Sequence, residues 1–414
     1  MSNKIIKGKL KVLILSRVLP CHGIGGLENH TLHLAKGLSQ IEDIEVRILT
    51  TQHPEGICES TDGNINIYYI PNKKPGKYTI DTFRLFHCYT QKLDQIHKFD
   101  VIHSQGFAGC LLRPGKSRKI ITSPHGTLYS ETPLHKDYFS TLNLAEKVRT
   151  LGKNLRRIVF RPAYKRLLKI SHIIQADSNF IRSELIKELP LISNKIKIVY
   201  LGIPEESYPA IEKSEARKKL NVKNDEMIFF SLGRFTPLKG FDLLLKASAL
   251  IKDSNFHIWI GGSGPYENKL KKLSTELGLK NVKFMGRIPE GDIATYFASA
   301  DFFVIPEISN PAFGLVALES LLQNTPVIAS DAGALPEIIS REFGLIFKKA
   351  HPQDLAEKMS LAIKNRSATL TNQTFSLPKE SPISLRSLAI EKFSFKKMID
   401  GILNLYLSGL SDIE

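Results

Sequence analysis

Cysteine and tryptophan are scarce in this sequence, and their scarcity excludes several kinds of site. The four cysteines are Cys21, Cys58, Cys88 and Cys110. None of them forms a C-x-x-C pair, so the spacing of structural zinc sites and of thioredoxin-like redox sites is absent. We expect reduced structural thiols in a reducing compartment. Because Trp259 is the single tryptophan, an aromatic-rich surface for stacking sugars is not expected.

Long apolar runs are also missing. No stretch reaches the ~18 consecutive apolar residues that a membrane-spanning helix needs. The first apolar run, Leu10 to Leu15, follows a basic start, but it ends before Arg17 and has no small-residue cleavage site. This run predicts a first β-strand rather than a signal peptide. We therefore expect a cytoplasmic protein, either free or peripheral on the inner face of the membrane.

Acidic residues are too few to balance the basic ones. The 57 Lys and Arg residues exceed the 41 Asp and Glu residues, which gives a net charge of +16. Such an excess favours polyanionic partners: nucleic acid, anionic lipid or phosphorylated substrates. Basic residues are dense at 147–169, where apolar residues are interleaved and no acid occurs. This segment predicts either a solvated helix face or an interfacial helix on anionic lipid, which would imply a lipid-linked or membrane-surface acceptor.

Short apolar runs alternate with helical patterns along the whole chain. The runs lie at 11–16, 46–51, 65–70, 100–105, 119–124 and 172–177, and again at 227–233, 256–262, 282–286, 301–306, 326–330 and 344–348. Near-continuous apolar strands between helices are typical of a parallel sheet covered on both faces. The sequence therefore predicts an α/β protein with two Rossmann-like, doubly wound domains facing a cleft. We place the acceptor-side domain at 1–205, the nucleotide-sugar domain at 206–385, and a helix packing back on the first domain at 386–414.

Glycine-rich turns follow several of these predicted strands, where ligands of open α/β sheets bind. The turn at Gly25 and Gly26 is not a G-x-G-x-x-G motif, and an isolated glycine turn is weak support because structural turns need glycine as often. The segment GRFTPLKG is more specific. Arg234 follows Gly233 at the end of a buried strand, and Lys239 precedes the next helix. Two solvated cations are one interpretation; a clamp for a diphosphate is the one we favour.

Glu319 is a single acid in an apolar helical stretch, among Leu315, Val316, Leu318 and Leu322. A carboxylate near a helix start can be solvated and stabilised by the helix dipole. An isolated buried charge is costly, however, so this environment predicts a specific partner. A ribose with two adjacent hydroxyl donors would suit a carboxylate.

His125 stands between a predicted strand and Gly126. A hydrogen-bonded loop histidine is the simpler interpretation. At the carboxyl end of a strand, it could instead donate to a sugar hydroxyl, or its neighbouring carbonyl could stabilise developing positive charge.

These segments together resemble the retaining glycosyltransferases of family four, which have the GT-B fold. The resemblance rests on SRVLPCHGIGGLENHTLHLAKGL, SPHGT, IQADSNFIRSELIK, LGRFTPLKGFDLLLKA, IGGSGP, VKFMGRIP and FGLVALESLLQNTPVIASDAGALPEII, and covers nearly the whole chain. It implies transfer of a hexose-type sugar from a nucleotide-diphosphate donor to an acceptor hydroxyl. No D-x-D triplet occurs, which suits a site without metal or other cofactor.

The resemblance also implies roles by matching position. Arg234 and Lys239 would bind the donor diphosphate, and His125 would lie beside the transferred sugar. Glu319 would bind the nucleotide ribose. The other donor-binding positions are Gly25, Gly26, Gly233, Asn310, Phe313, Gly314, Leu315 and Val316.

One position departs from the family pattern. The family has an acid eight positions before the ribose-binding glutamate, and Pro311 stands there in this sequence. Asn310 or Glu307 could substitute for it, or the backbone at 312–314 could suffice.

Two other classes of protein remain open from the sequence alone. A GT-B-like epimerase or phosphorylase would share the fold, although no pyridoxal-phosphate lysine motif is evident. A non-catalytic, nucleic-acid-binding protein would need aromatic stacking residues among the basic ones. Phe160 and Tyr164 are the candidates for that role, and we expect no nucleic acid as a partner.

Overall fold

The computed structural model describes residues 8–23, 25–75, 79–113, 118–127, 147, 159–252, 255–367 and 384–408. These residues form two compact units. The first unit contains the described residues up to 201 together with 396–408, and the second contains the described residues from 202 to 395. The chain thus leaves the first unit after Leu201, close to the predicted domain boundary at 205.

The first unit is built on an eight-stranded sheet with the order β3-β4-β2-β1-β5-β6-β7-β8. Its strands are β1 Leu10–Leu15, β2 Ile44–Thr50, β3 Glu59–Asp62, β4 Ile65–Tyr69, β5 Val101–Gln105, β6 Lys119–Ser123, β7 Ile173–Ala176 and β8 Ile196–Ile198. Only the β3–β4 pair among these strands is antiparallel. Every residue of β5, β6 and β7 is buried, as expected for a parallel sheet covered on both faces.

The second unit is built on a six-stranded, fully parallel sheet with the order β11-β10-β9-β12-β13-β14. Its strands are β9 Ile228–Leu232, β10 His257–Gly261, β11 Val282–Gly286, β12 Phe302–Ile305, β13 Val327–Ser330 and β14 Gly344–Phe347. A phenylalanine-rich core packs on this sheet, with Phe229, Phe235, Phe241 and Phe256 each at most 2% exposed. The carboxyl ends of the adjacent strands β10, β9 and β12 therefore lie side by side at one edge.

Helices connect the strands in both units. In the described part of the chain they are α1 Gly26–Ser39, α2 Ile80–His97, α3 at 159–170, α4 Asn179–Glu188, α5 Lys213–Lys219, α6 Phe241–Leu250, α7 Glu267–Glu276, α8 Glu290–Ser299, α9 Leu315–Leu322, α10 Leu335–Ile338, α11 Pro352–Ser367, α12 Leu385–Phe393 and α13 Phe395–Leu407. Several of them begin with a side-chain cap, such as Thr79 before α2 and Ser178 before α4.

The C-terminal segment, predicted as one helix, is divided in two. Ser394 adopts an extended conformation between α12 and α13 and bridges to Ile203, so the helix cannot continue through it. Helix α12 belongs to the second unit, whereas α13 from residue 396 belongs to the first. There the Tyr406 hydroxyl lies 2.7 Å from His103 Nδ1, and the buried Lys119 ammonium donates to the Leu405 carbonyl at 2.7 Å.

The predicted fold class is confirmed: the chain forms two Rossmann-like α/β units with parallel sheets. Two short strands at the edges of the first sheet were not predicted. β3 has alternating exposed and half-exposed residues, and β8 is only three residues long, so neither has an apolar run. All four cysteines are free, and Cys110 alone among them is buried.

Candidate active site

In the second unit, two glycine turns at the carboxyl ends of β9 and β10 pack directly against each other. The Gly233 amide donates to the Gly261 carbonyl at 3.1 Å, and the Phe235 amide donates to the Ser263 carbonyl at 2.9 Å. A Cβ on Gly262, whose φ is +127°, would overlap the Gly233 carbonyl oxygen. The predicted glycine turn at 261–265 therefore has a packing function, because it fixes the turn that carries Arg234.

Arg234 and Lys239 both lie on this edge of the second unit. The Arg234 side chain is exposed directly after β9, and no hydrogen bond or ion pair engages its guanidinium within the described residues. Lys239 ends a short 3₁₀ turn, Pro237–Lys239, and its aliphatic stem passes 3.6 Å from the position that a Cβ on Gly233 would occupy. The sequence prediction placed both cations at a strand end, and both lie there.

A second contact fixes the position of Lys239. Gly240 follows it in the left-handed conformation with φ +67°, and a Cβ there would overlap the Pro306 carbonyl oxygen. The Ile308 amide donates to the Leu238 carbonyl at 2.8 Å. The turn after β9 is thus docked on the loop after β12, and helix α6 starts from that junction.

Glu307 is the partner of Lys239. Its Oε2 lies 2.6 Å from the Lys239 ammonium, and the Ser309 hydroxyl donates to Oε1. The Ser330 hydroxyl also donates to the Glu307 carbonyl at 2.7 Å. Glu307 is 3% exposed and both carboxylate oxygens are engaged, so it does not offer the free acid that was considered as a substitute at Pro311.

The loop between Asn310 and Gly314 is also held from both sides. The Lys349 ammonium donates to Asn310 Oδ1 at 2.9 Å. The Ala334 amide donates to the Pro311 carbonyl at 3.0 Å, and a Cβ on Gly333 would come within 2.5 Å of that same oxygen. The loop geometry therefore depends on contacts from the turns after β13 and β14.

Helix α9 begins from this loop. Gly314 is its N-cap, with φ +113°, and the Ala317 amide donates to the Gly314 carbonyl at 2.9 Å. The amides of Leu315 and Val316 precede the first intrahelical hydrogen bonds and are directed away from the helix body. The Phe313 ring is 2% exposed and packs edge-on against Phe393 at 5.6 Å, so this residue has only its backbone to offer a ligand.

The carboxylate of Glu319, on α9, has a partner that the sequence analysis did not find. The Tyr208 hydroxyl interacts with it. The pKa of Glu319 is raised to about 7: burial and the charge of Glu290 raise it, and the Tyr208 hydroxyl lowers it. Burial and the neighbouring Glu319 also raise the pKa of Tyr208. Tyr208 lies in the connector before α5, and no local sequence pattern relates it to Glu319.

In the first unit, Gly25 and Gly26 stand at the start of α1. Gly25 is the N-cap in an extended conformation, and a Cβ there would overlap Glu28 Oε2. The Glu28 carboxylate thus lies over the helix N-terminus, where a bound anion would meet its negative charge. Ile24, within the predicted turn, lies outside the described residues.

His125 lies at the carboxyl end of β6 in the first unit and has a left-handed backbone with φ +53°. Its side chain is 11% exposed. Nδ1 lies 2.9 Å from Asp177 Oδ2, and Nε2 contacts Gln105 Oε1. Both ring nitrogens are therefore engaged within the protein, which differs from the prediction of a side chain donating to a sugar hydroxyl.

Two further histidines, neither of them predicted from the sequence, lie close to His125: His30 packs against it, and His103 is connected to it through Gln105. The His30 ring packs edge-on against His125 at 5.0 Å. Burial, and to a smaller extent the neighbouring His125, lower the pKa of His30 to about 3. His103, whose Nε2 is 3.1 Å from Gln105 Nε2, has a pKa that burial likewise lowers to about 3. Both rings are therefore neutral near pH 7.

The chain matches two family models that follow each other along the sequence. "Glycosyltransferase Family 4" matches residues 24–207, and "Glycosyl transferases group 1" matches residues 212–374. These spans correspond to the two Rossmann-like units just described. The chain is a glycosyltransferase of the GT-B type.

Relatives and solved structures agree with this assignment. The glycosyltransferase is 27% identical over 410 residues to an uncharacterized glycosyltransferase of Methanocaldococcus jannaschii, covering 96% of this chain and 98% of the relative. It resembles the solved sucrose-phosphate synthase of Thermosynechococcus elongatus with a TM-score of 0.77 and 18% identity, covering 98% and 100% of the two chains. It also resembles Anabaena HepE in complex with UDP and glucose, with a TM-score of 0.70, 18% identity and coverage of 96% and 100%.

The basic segment of the glycosyltransferase is described only in part. Residues 148–158 lie outside the described residues, so about half of the segment 147–169, predicted as an interfacial helix, falls outside them. In α3, Tyr164 is fully buried, Lys165 donates to the Glu188 carbonyl at 3.2 Å, and Arg166 donates to the Leu112 carbonyl at 2.6 Å. In the described part of the chain, no helix combines the length and apolar character needed to cross a bilayer.

Proposed function

We propose that this glycosyltransferase moves a hexose-type sugar from a nucleotide-diphosphate donor to an acceptor hydroxyl with retention of configuration, without a metal or other cofactor. The observation that carries the proposal is the pair of cations on the turn after β9. Arg234 is exposed there, and Lys239, five residues later on the same turn, is held by Gly233, Gly240 and Glu307. Two cations on one turn suit a leaving diphosphate.

The proposed chemistry is electrostatic stabilisation of a leaving group. When the bond between the sugar and the diphosphate breaks, negative charge grows on the phosphate oxygens. Arg234 and Lys239 interact more strongly with this charge in the transition state than in the ground state, which lowers the barrier. The acceptor hydroxyl attacks the same face of the sugar, and the departing phosphate accepts its proton.

The donor site would continue along α9. The amides of Leu315 and Val316 would donate to the donor, and the Glu319 carboxylate would accept hydrogen bonds from the ribose hydroxyls. A ribose would then share Glu319 with Tyr208. HepE, which shares this fold, has been solved with UDP and glucose bound, and this supports the proposed class of donor.

We place the reaction in glycan, glycolipid or cell-surface polysaccharide synthesis at the cytoplasmic side of the membrane, with a sugar or lipid-linked acceptor. The two aromatic residues that a nucleic-acid-binding protein would use to stack bases are not available on the surface, which weakens that alternative. Tyr164 is fully buried, and Phe160 packs edge-on against Phe83 at 5.4 Å, so neither forms an exposed stacking platform.

A donor screen tests the proposal directly. The purified protein is heated with UDP-, GDP- and ADP-sugars in turn, because a ligand that binds the folded state raises its thermal midpoint by mass action. We expect one nucleotide series to stabilise the protein and to support transfer to an acceptor. The configuration of the product, read by proton NMR, distinguishes retention from inversion, and an epimer in place of a glycoside would support the epimerase alternative.

A further inference from the structure

Asp177 is a buried acid that none of the roles above uses. It follows β7, is 1% exposed, and lies beside His125, the histidine that we assign to the candidate site. Its Oδ1 accepts from Gln175 Nε2 at 3.0 Å, and its Oδ2 lies 2.9 Å from His125 Nδ1. A buried carboxylate is stable only when its oxygens are well satisfied, so these two donors explain why it is tolerated.

The orientation of the Gln175 amide is fixed independently. Its nitrogen also donates to the Val199 carbonyl at 2.8 Å, and a backbone carbonyl can only accept. The Gln175 nitrogen therefore faces Asp177, and one carboxylate oxygen is always occupied by that donor. The other oxygen, Oδ2, is left for the His125 ring.

The proton position on His125 follows from this arrangement. An ionised carboxylate only accepts, so Nδ1 of His125 must carry the hydrogen that it donates to Asp177. On the other side of the ring, Nε2 faces Gln105 Oε1, which is an acceptor, because the Gln105 nitrogen lies 3.1 Å from His103 Nε2. Rotating the ring would break its hydrogen bond to Asp177 and its contact with Gln105.

The same contacts hold the main chain. A left-handed φ of +53° is unfavourable for a residue with a Cβ, and it persists only where the surroundings fix it. Anchoring the His125 ring to Asp177 and Gln105 provides that restraint. The carbonyl of His125 and the ring are therefore positioned together at the carboxyl end of β6.

We propose that Asp177 is a positioning residue for sugar transfer: it keeps a hydrogen on Nδ1 of His125 and fixes the rotation of the ring, and through them the main chain that faces the transferred sugar. This rests on the proposed function, in which His125 lies beside that sugar. Asp177 itself contacts neither donor nor acceptor. Its loss should therefore slow transfer without weakening donor binding.

The Asp177→Asn variant tests this because an amide has one acceptor and one donor. Since Gln175 needs the oxygen, the new amide nitrogen at this position faces His125 Nδ1. The ring must then accept at Nδ1 and carry its hydrogen at Nε2, where Gln105 Oε1 accepts it. We expect Nδ1 of His125 to lose its hydrogen in this variant, a change that a purely structural role of Asp177 would not require.

The experiment uses the full-length protein labelled with ¹⁵N-histidine, with the His125 signals assigned by their loss in His125→Gln. In the wild type, we expect Nδ1 to be protonated, and in Asp177→Asn we expect Nδ1 to be unprotonated, with the ring hydrogen on Nε2 alone. We expect kcat to fall roughly 10- to 100-fold, the scale for losing a group that orients a working side chain, while the donor KM stays within about twofold.

Thr122→Val is the matched control. It lies in the same buried sheet and removes the 2.8 Å contact with Ser171, whose hydroxyl keeps its bond to the Leu167 carbonyl at 2.8 Å. We expect the His125 signals and kcat to be unchanged in this control.

A wild-type His125 with Nδ1 unprotonated would overturn the proposal even if Asp177→Asn does not fold, and so would a folded Asp177→Asn with unchanged signals and turnover. If the wild type transferred sugar from none of the donors, that result would count against the proposed function instead. The histidine spectra would still decide whether Asp177 keeps the hydrogen on Nδ1 of His125.

Discussion

The Lys239 ammonium lies 2.6 Å from the buried Glu307 carboxylate, so the residue proposed to bind the donor diphosphate already has an anionic partner. The two carboxylate oxygens of Glu307 face Lys239 and the Ser309 hydroxyl. This pair holds Lys239 in place before any donor arrives. It also means that a diphosphate must share the ammonium with Glu307, which sets the strength of the clamp.

Removing either cation should impair transfer. We expect Lys239→Ala and Arg234→Ala each to lower kcat/KM by roughly 10²-fold, the scale for losing one group that stabilises a developing anion. The measurement is initial-rate kinetics with the donor identified by the screen. Near-normal turnover and donor affinity in both variants would refute the clamp.

Lys246→Ala is the matched control for this loss of charge. Lys246 lies on α6, the helix that follows Lys239, and forms an exposed i,i+4 pair with Asp242 at 3.4 Å. A surface pair of this kind contributes about 0–1 kcal/mol to stability. We therefore expect Lys246→Ala to have kinetics close to those of the wild type. A fall in kcat/KM as large as that of Lys239→Ala would show that the effect comes from the lower net charge and not from the position of Lys239.

Glu307→Gln should strengthen the binding of a nucleoside diphosphate. The substitution removes the carboxylate charge that offsets Lys239, while the amide still fits the same space. We expect the dissociation constant of UDP, GDP or ADP, whichever the screen selects, to fall about two- to fivefold by calorimetry. Weaker binding would show instead that Glu307 acts mainly by holding the Lys239 side chain in position.

The fold was predictable because its strands are apolar runs. Runs such as Lys119–Ser123 and Phe302–Ile305 are buried on both faces, and their sequences show it directly. The edge strand Glu59–Asp62 has no such run, because only its alternate residues are half covered. The break between α12 and α13 at Ser394 is set by a bridge to Ile203, which is distant in sequence.

The candidate site was predictable only where its residues adjoin a strand end. Arg234 and Lys239 belong to one short segment after β9, so their neighbourhood could be inferred from order along the chain. The partners of Glu319 and His125 could not, because Tyr208 and Asp177 come from separate segments that the fold brings together. The apolar surroundings of Glu319 indicated that a partner was needed, but not which one.

The raised pKa of Glu319 gives the second unit a pH-dependent stability. An unfolded chain has an ordinary carboxyl pKa of 4.5, whereas the folded value is about 7. Between these values the folded state holds a proton that the unfolded state has lost, so the free energy of unfolding falls as the pH rises. Glu319→Gln cannot ionise. We expect the thermal midpoint of Glu319→Gln minus that of the wild type to increase as the pH rises from about 5 to about 8. A constant difference across this range would contradict the assignment.

Tyr208→Phe should act on the same ionisation. The Tyr208 hydroxyl stabilises the charged carboxylate, so its removal should raise the pKa of Glu319 further. At about pH 8 we expect Tyr208→Phe to cost more stability in the wild type than in the Glu319→Gln background. In that background, residue 319 has no negative charge that the Tyr208 hydroxyl could stabilise. Equal costs in the two backgrounds would show that the two side chains are not coupled.

Gly240 should be sensitive to a single added methyl group. Its φ of +67° is unfavourable for alanine, and the new Cβ would overlap the Pro306 carbonyl oxygen. Backbone strain and overpacking together cost on the order of 2–4 kcal/mol, so we expect Gly240→Ala to lower the thermal midpoint. Because Gly240 docks the Lys239 turn on the loop after β12, the variant should also lose turnover. Gly291→Ala is the control: Gly291 is the second residue of helix α8, and an added Cβ there meets no atom within 4 Å beyond its chain neighbours and the backbone of its own helix, so we expect little change in stability. A Gly240→Ala protein as stable and active as Gly291→Ala would show that the junction between the two loops does not position Lys239.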